Sequence, residues 1–190
     1  MVVLSSKPGL LLQINEVLHL SILRPVDVSE KYVNWLNDPV VTRYTEQRFF
    51  HHSWERVEAF VEEKFLDDKE YLFGIFYSGE HVGNVKIGPI DTRHSLSSVS
   101  YFIGEQKLWG KGIATRAVSK AVEFAFSDLT LEKLTAGVYE PNVGSRIVLE
   151  KCGFKQEGRR LKHAIYDSQR IDTYEFGLLK NSWNHQLSAD

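Results

Sequence analysis

Between residues 109 and 115 the chain reads Trp109-Gly110-Lys111-Gly112-Ile113-Ala114-Thr115, directly after a run ending Tyr101-Phe102-Ile103 and directly before an amphipathic stretch. A strand that ends in a glycine loop and turns at once into a helix leaves the first helical N–H groups without internal partners. The aligned peptide dipoles add partial positive charge at the same place. Gly110 and Gly112 can take positive φ and let a ligand approach the main chain closely. Such a turn suits a phosphate or diphosphate with little help from side chains. Glycine spacing alone is equally compatible with a plain tight turn. The Gly-Lys-Ser/Thr ending of a nucleotide P-loop is missing, as is the third glycine of a dinucleotide fold, so metal-dependent triphosphate chemistry is disfavoured.

The elements that must position this turn follow from periodicity. Leu18, Leu20 and Ile22 alternate with polar neighbours, as in a half-buried strand. A helix is expected from Ser29, with Tyr32, Trp35 and Leu36 on one face, ending at Asn37-Asp38-Pro39. Ser53 opens the next, with Val57, Phe60, Val61 and Phe65 as its stripe; the charges Glu58, Glu62, Glu63 and Lys64 read as a solvated face. Residues 71–77, 82–87 and 99–103 are short β-branched and aromatic runs separated by turn signals, which predicts three antiparallel strands. A long helix from Ile113, a strand through Leu134, Ala136 and Val138, a short helix from Asn142 to Lys151 closed by Gly153, and two strands around Asp167-Ser168-Gln169 complete the order. Helices cross between some strands and tight turns join others, so the sheet must be mixed, in an α+β arrangement.

Composition sets the outer limits. The chain has 190 residues, 43% of them apolar, and a net charge of −2, which favours one folded domain over residues 1–190 with an ample core. Residues 1–13 read as a loose extension or a first strand. A balanced charge offers no field for a phosphate backbone, so no direct nucleic-acid partner is expected. No apolar run is long enough to span a bilayer, and the start lacks a small-residue cleavage pattern, which points to a cytoplasmic protein without a membrane partner. The single Cys152 excludes an internal disulfide and a multi-cysteine metal centre, and His51-His52 lacks a third ligand, so no metal is expected.

Two segments together carry a resemblance. Trp109 to Thr115 resembles the acetyl-CoA loop of the GNAT family of N-acetyltransferases. Asn142-Val143-Gly144-Ser145, followed by Leu149-Glu150-Lys151-Cys152-Gly153-Phe154, resembles that family's second motif. The wording is closest to the RimJ/RimL-type branch, and the likeness extends over roughly Leu20 to Trp183. It implies the GNAT fold: one domain, a mixed six- to seven-stranded sheet flanked by about four helices, splayed between strands 4 and 5 where a bulge ends their pairing. It implies acetyl-CoA as co-substrate, with Trp109 to Thr115 around the diphosphate and main-chain groups of Phe102 and Ile103 along the pantetheine arm, one N–H polarising the thioester carbonyl. Trp109 stands where many members carry Arg or Gln.

By the same resemblance Asn142 bonds the pantetheine, although a helix cap explains it equally. Ser145 becomes the candidate proton donor to the departing thiolate, because Leu149 stands where many members place a tyrosine. Amine attack on a thioester asks little of a base: an α-amine of pKa about 7.7–8.0 is roughly 10–20% neutral at pH 7. Glu105 and His163, or a water relayed by either, are the candidate bases, His163 being as readily a plain strand residue. The family's acceptor pocket maps to the first two helices, their connection and the last hairpin, which places Arg43, Tyr44 and Arg48 as acceptor-binding residues. Cations and aromatics there suit a phosphorylated or nucleotide-linked amino sugar; a protein N-terminal amine is the alternative acceptor. Glu157-Gly158-Arg159-Arg160 either bridges strands or binds an anionic acceptor. A non-catalytic acyl-CoA-binding module is the rival function, and a homodimer through the final strand is open.

Overall fold

A computed structural model describes residues 7–187, with side chains described as far as Trp183. Eight strands form one mixed sheet in the order β1-β2-β3-β4-β5-β6-β8-β7. They are β1 (Leu11–Asn15), β2 (Leu18–Ile22), β3 (Tyr71–Tyr77), β4 (Glu80–Ile87), β5 (Leu96–Ile103), β6 (Lys133–Tyr139), β7 (Lys155–Tyr166) and β8 (Gln169–Leu179). The helices are α1 (Glu30–Asn37), α2 (Pro39–Thr42), α3 (Trp54–Leu66), α4 (Ile113–Ser127), α5 (Val143–Lys151) and α6 (Lys180–Leu187). The sheet has one strand more than the upper expectation, because Leu11–Asn15 forms a hairpin with β2. The helix count rises through the single turn α2 and the terminal α6.

Local chemistry sets the boundaries. Ser29 and Ser53 accept the N–H groups of Tyr32 and Arg56 and so start α1 and α3, and Asp38 caps α2 just before Pro39. The sheet is covered on both faces. On one, α4 lays Ile113, Ala117, Val118 and Phe124 against Phe73, Val85 and Val99. On the other, Tyr32, Trp35 and Leu36 of α1 and Val57 and Val61 of α3 cover Leu72 and Leu23. Phe60, expected in the α3 stripe, is 36% exposed instead. Lys64, expected in solvent, turns to the buried Glu70 carboxylate at 3.4 Å, which also receives Lys86 at 2.7 Å.

The sheet opens in the middle. β5 and β6 run parallel but pair only at Leu96↔Lys133, Ser97↔Leu134 and Ser98↔Thr135. Beyond that point β5 stays with β4 (Val99↔Ile87 to Ile103↔Gly83), while β6 follows β8. This is the splay expected between the fourth and fifth strands. The bulge expected at the splay sits elsewhere, in β4: Ile75 faces Gly83 and Phe76 faces His81, leaving Val82 as the extra residue. The Val82 carbonyl accepts both Gly104 and Glu105 N–H (2.9 and 3.2 Å), which turns the chain away at the end of β5.

Candidate active site

The Ser98 carbonyl accepts the Gly88 N–H on the β4 side at 3.0 Å. Strand alternation therefore directs the main chain of Val99, Tyr101 and Ile103 toward β6, past the last β5–β6 pair. Of the two residues expected to serve the pantetheine arm, Ile103 is so placed. Phe102 is not: it pairs with Asn84 on β4 and sets its ring 6.3 Å from that of Tyr32. Tyr101 has its main chain on the open side instead. The Ile103 carbonyl is bonded by Trp109 Nε1 at 2.8 Å, so its N–H is what remains for a ligand.

After a turn at Gln106–Leu108 the chain reaches Gly110 and Gly112 with φ of 75° and 74°. A Cβ at either would meet nothing within 4 Å, so the left-handed backbone rather than crowding calls for glycine. The first bond into α4 runs from Arg116 N–H to the Gly112 carbonyl at 3.1 Å. Among the described residues the amides of Gly110, Gly112, Ile113, Ala114 and Thr115 make no main-chain hydrogen bond. Five unbonded donors at a helix N-terminus, beside a parted sheet, form an anion cradle. Lys111 stands apart: its amide is used by the Leu108 carbonyl and its side chain lies outside the cleft lining.

The cradle opens into a cleft of about 1720 Å³. Asn142 caps α5, its Oδ1 accepting Ser145 N–H at 3.2 Å, while Nδ2 has no partner among the described residues. Capping and a ligand contact are thus both open to one side chain. Ser145 Oγ is 2.8 Å from Tyr101 Oη, a partner that strand periodicity could not show. Burial drives the Tyr101 phenol well above its ordinary pKa, outweighing the opposing bond from Ser145. Leu149 is fully buried and carries no donor.

The candidate bases separate. Glu105 lies outside the cleft lining, its carboxylate 3.5 Å from Lys31, so the expected role for it is not supported by position. His163 does line the cleft, from a bulge in β7: Arg160 faces Thr173 and Ala164 faces Ile171, leaving Leu161, Lys162 and His163 unpaired. Lys162 has φ 50° and donates its N–H to Asp172 Oδ1 at 2.7 Å, which fixes the bulge. Glu46 and Glu175 are the carboxylates of the lining; Glu175 is 3.1 Å from Arg160. Cys152 is buried with its thiol pushed up to about 12, and its Sγ meets the Thr115 carbonyl, an inert packing position. Among the described residues no cluster of His, Cys, Asp and Glu could hold a metal ion.

Of the residues expected to bind the acceptor, Arg43 and Tyr44 line the cleft, with the Arg43 guanidinium 5.0 Å from the Tyr44 ring and 5.6 Å from that of Trp109. Tyr44 lies 5.2 Å from the Tyr166 ring of the last hairpin. Burial first, then the Tyr166 phenol, raise its pKa. Arg48 lines the cleft as well, with its donors engaged. Its guanidinium donates to the Thr45 and Ile165 carbonyls at 2.8 and 2.9 Å and lies over the Phe49 and Tyr139 rings. Those donors join the 46–49 turn to β7, while the residue also lines the cleft. Arg159 bonds Asp172, Arg160 bonds Glu175 and Glu157 bonds Lys133, so that segment bridges strands.

Residues 18–155 match the family model described as "Acetyltransferase (GNAT) domain". The chain belongs to the GNAT acetyltransferase family. Acetyl-CoA-dependent acyl transfer is the chemistry that GNAT membership carries. The spermidine N(1)-acetyltransferase of Escherichia coli (strain K12) is 31% identical over 176 residues, 88% of each chain. The probable N-acetyltransferase YjcK of Bacillus subtilis (strain 168) is 41% identical over 101 residues, 51% of this chain and 55% of that protein's length. The fold matches that of RimL, a ribosomal L7/L12 α-N-protein acetyltransferase solved with coenzyme A. There the TM-score is 0.82 at 14% identity, covering 89% of this chain and 97% of RimL.

Proposed function

We propose that this GNAT chain transfers the acetyl group of acetyl-CoA directly to the primary amine of an acceptor that carries an anionic group, a phosphorylated or nucleotide-linked amino sugar being the fitting chemistry. The charge of the cleft carries this reading. Arg43, Arg56 and Arg170 line it without a carboxylate partner among the described residues, against the two carboxylates Glu46 and Glu175. A polyamine, the acceptor named in several relatives, would meet repulsion there; a phosphate would find charge-assisted donors.

The residues present fit acetyl-CoA, on the strength of the five unbonded amides and the gap in the sheet. When bound, the co-substrate supplies an activated acyl carbon. The amides of Gly110 and of Gly112 to Thr115 hold the diphosphate, and the N–H groups of Tyr101 and Ile103 face the arm and the carbonyl oxygen. Ser145 donates to the departing sulfur. Of the two candidate bases His163 is the one that lines the cleft, and it takes the proton of an amine that arrives largely protonated.

Free-thiol release measured with acetyl-CoA and three acceptors tests this reading: an amino sugar phosphate, a peptide with a free N-terminus, and spermidine. The expected order is fastest with the phosphorylated amine. Faster turnover with spermidine would overturn the anionic-acceptor reading, and no thiol with any of a broad amine panel would leave a non-catalytic acyl-CoA-binding module.

A further inference from the structure

All three polar groups of Ser145 are engaged by two residues. Its N–H goes to Asn142 Oδ1, its carbonyl accepts Tyr101 Oη at 3.0 Å, and its Oγ lies 2.8 Å from that same phenol oxygen. A phenol has one proton to donate. Given to the Ser145 carbonyl, it leaves the serine hydroxyl to point its own proton back at Tyr101. Given to Oγ, it frees the serine proton for a partner in the cleft. Tyr101 sits on the face of β5 that also carries Val99 and Ile103, and its main chain looks into the parted sheet where the thioester must lie.

We propose that Tyr101 is a positioning residue that sets the direction of the Ser145 hydroxyl, and that the Tyr101–Ser145 pair acts as a two-link donor chain toward the leaving sulfur. The inference rests on the acetyl-transfer reading above. When the acyl C–S bond breaks, its electron pair goes to sulfur, which accepts a hydrogen bond from Ser145 Oγ. Tyr101 in turn donates to Oγ and compensates the charge drawn from it. Neither hydroxyl has to ionise, because a thiol of pKa about 8.5 leaves as a stabilised thiolate and takes its proton from solvent. The amine's surplus proton leaves by the base, so the proton balance closes. Helix α5 can therefore do without a tyrosine of its own at Leu149: the phenol arrives from the strand opposite.

Tyr101→Phe keeps the ring and removes the donor. Without it the Ser145 hydroxyl can turn back to the carbonyls of its own helical turn. The expected result is kcat lower by about tenfold, KM for acetyl-CoA within twofold of wild type, and an unchanged melting profile. In a Ser145→Ala background the same change should cost nothing further, since the chain is already cut. Wild-type kcat in Tyr101→Phe, or equal fold losses in both backgrounds, would overturn the proposal. If Tyr101→Phe melts early, the reciprocal comparison decides: Ser145→Ala retains the Asn142 cap and must lose no less activity than Tyr101→Phe. A wild type that releases no thiol with any amine overturns the acetyl-transfer reading and the inference with it, whereas a working wild type with a wild-type Tyr101→Phe removes the inference alone.

Discussion

The indole N–H of Trp109 bonds the carbonyl of Ile103 at 2.8 Å, which ties the glycine turn before α4 to the last residue of the strand facing the gap. An Arg or Gln at this position would offer a phosphate contact. Tryptophan instead fixes the geometry of the turn, with the Arg43 guanidinium 5.6 Å from its ring. Trp109→Phe should weaken coenzyme A about fivefold in calorimetry, the worth of one hydrogen bond of about 1 kcal/mol, and Trp109→Ala more. Unchanged affinity in both would show that the turn holds its shape without the indole.

Gly112 and Gly144 both lie at the start of helices, yet only Gly112 has positive φ. Gly112→Ala should cost about 1–2 kcal/mol from the left-handed backbone alone and lower coenzyme A affinity as the amides shift. Gly144→Ala, where a Cβ would meet only Asn142 Oδ1 at 4.0 Å, should leave melting nearly unchanged. Thermal unfolding of the two variants side by side checks the contrast.

Arg48 and Arg43 are neighbours in sequence with opposite expected phenotypes. Arg48→Ala removes the bonds to Thr45 and Ile165 and should lower stability by about 1–3 kcal/mol, read as an earlier melting midpoint. Arg43→Ala should melt as wild type and raise KM for an anionic acceptor about tenfold. Interchanged phenotypes would reverse the two roles.

His81 gives the fold a pH dependence. Burial lowers its pKa below the ordinary 6.5, against the opposing bonds to Asn84 and Gly83. The unfolded chain therefore takes up the proton first as pH falls, and stability present above pH 6.5 declines below it toward the folded value. Denaturant midpoints between pH 8 and pH 5 should fall for wild type, and the slope near pH 6 should flatten in His81→Gln. An equal slope in both would assign the dependence to other groups.

These contrasts mark what the sequence could and could not disclose. Ser29, Ser53 and Gly153 mark helix ends through local chemistry, and the Trp109–Thr115 turn is legible because loop and helix start are contiguous. The partnership of Tyr101 with Ser145 spans 44 positions and the bond from Arg48 to Ile165 spans 117, distances at which neither periodicity nor spacing carries information. Nothing local to Arg48 reveals that its terminal nitrogens reach Thr45 and Ile165. Glu105 looked like a base because the bulge at Val82, which draws its main chain toward β4, lies on another strand.

Amide hydrogen exchange across the turn, with and without coenzyme A, bears on the main claim more directly than any variant. Residues 110 and 112–115 should exchange quickly in the free protein and slow by at least tenfold when coenzyme A is added, while the amide of residue 111, already bonded, changes little. Protection of those five amides before the ligand arrives, or no slowing at saturating coenzyme A, would contradict a diphosphate held by the main chain.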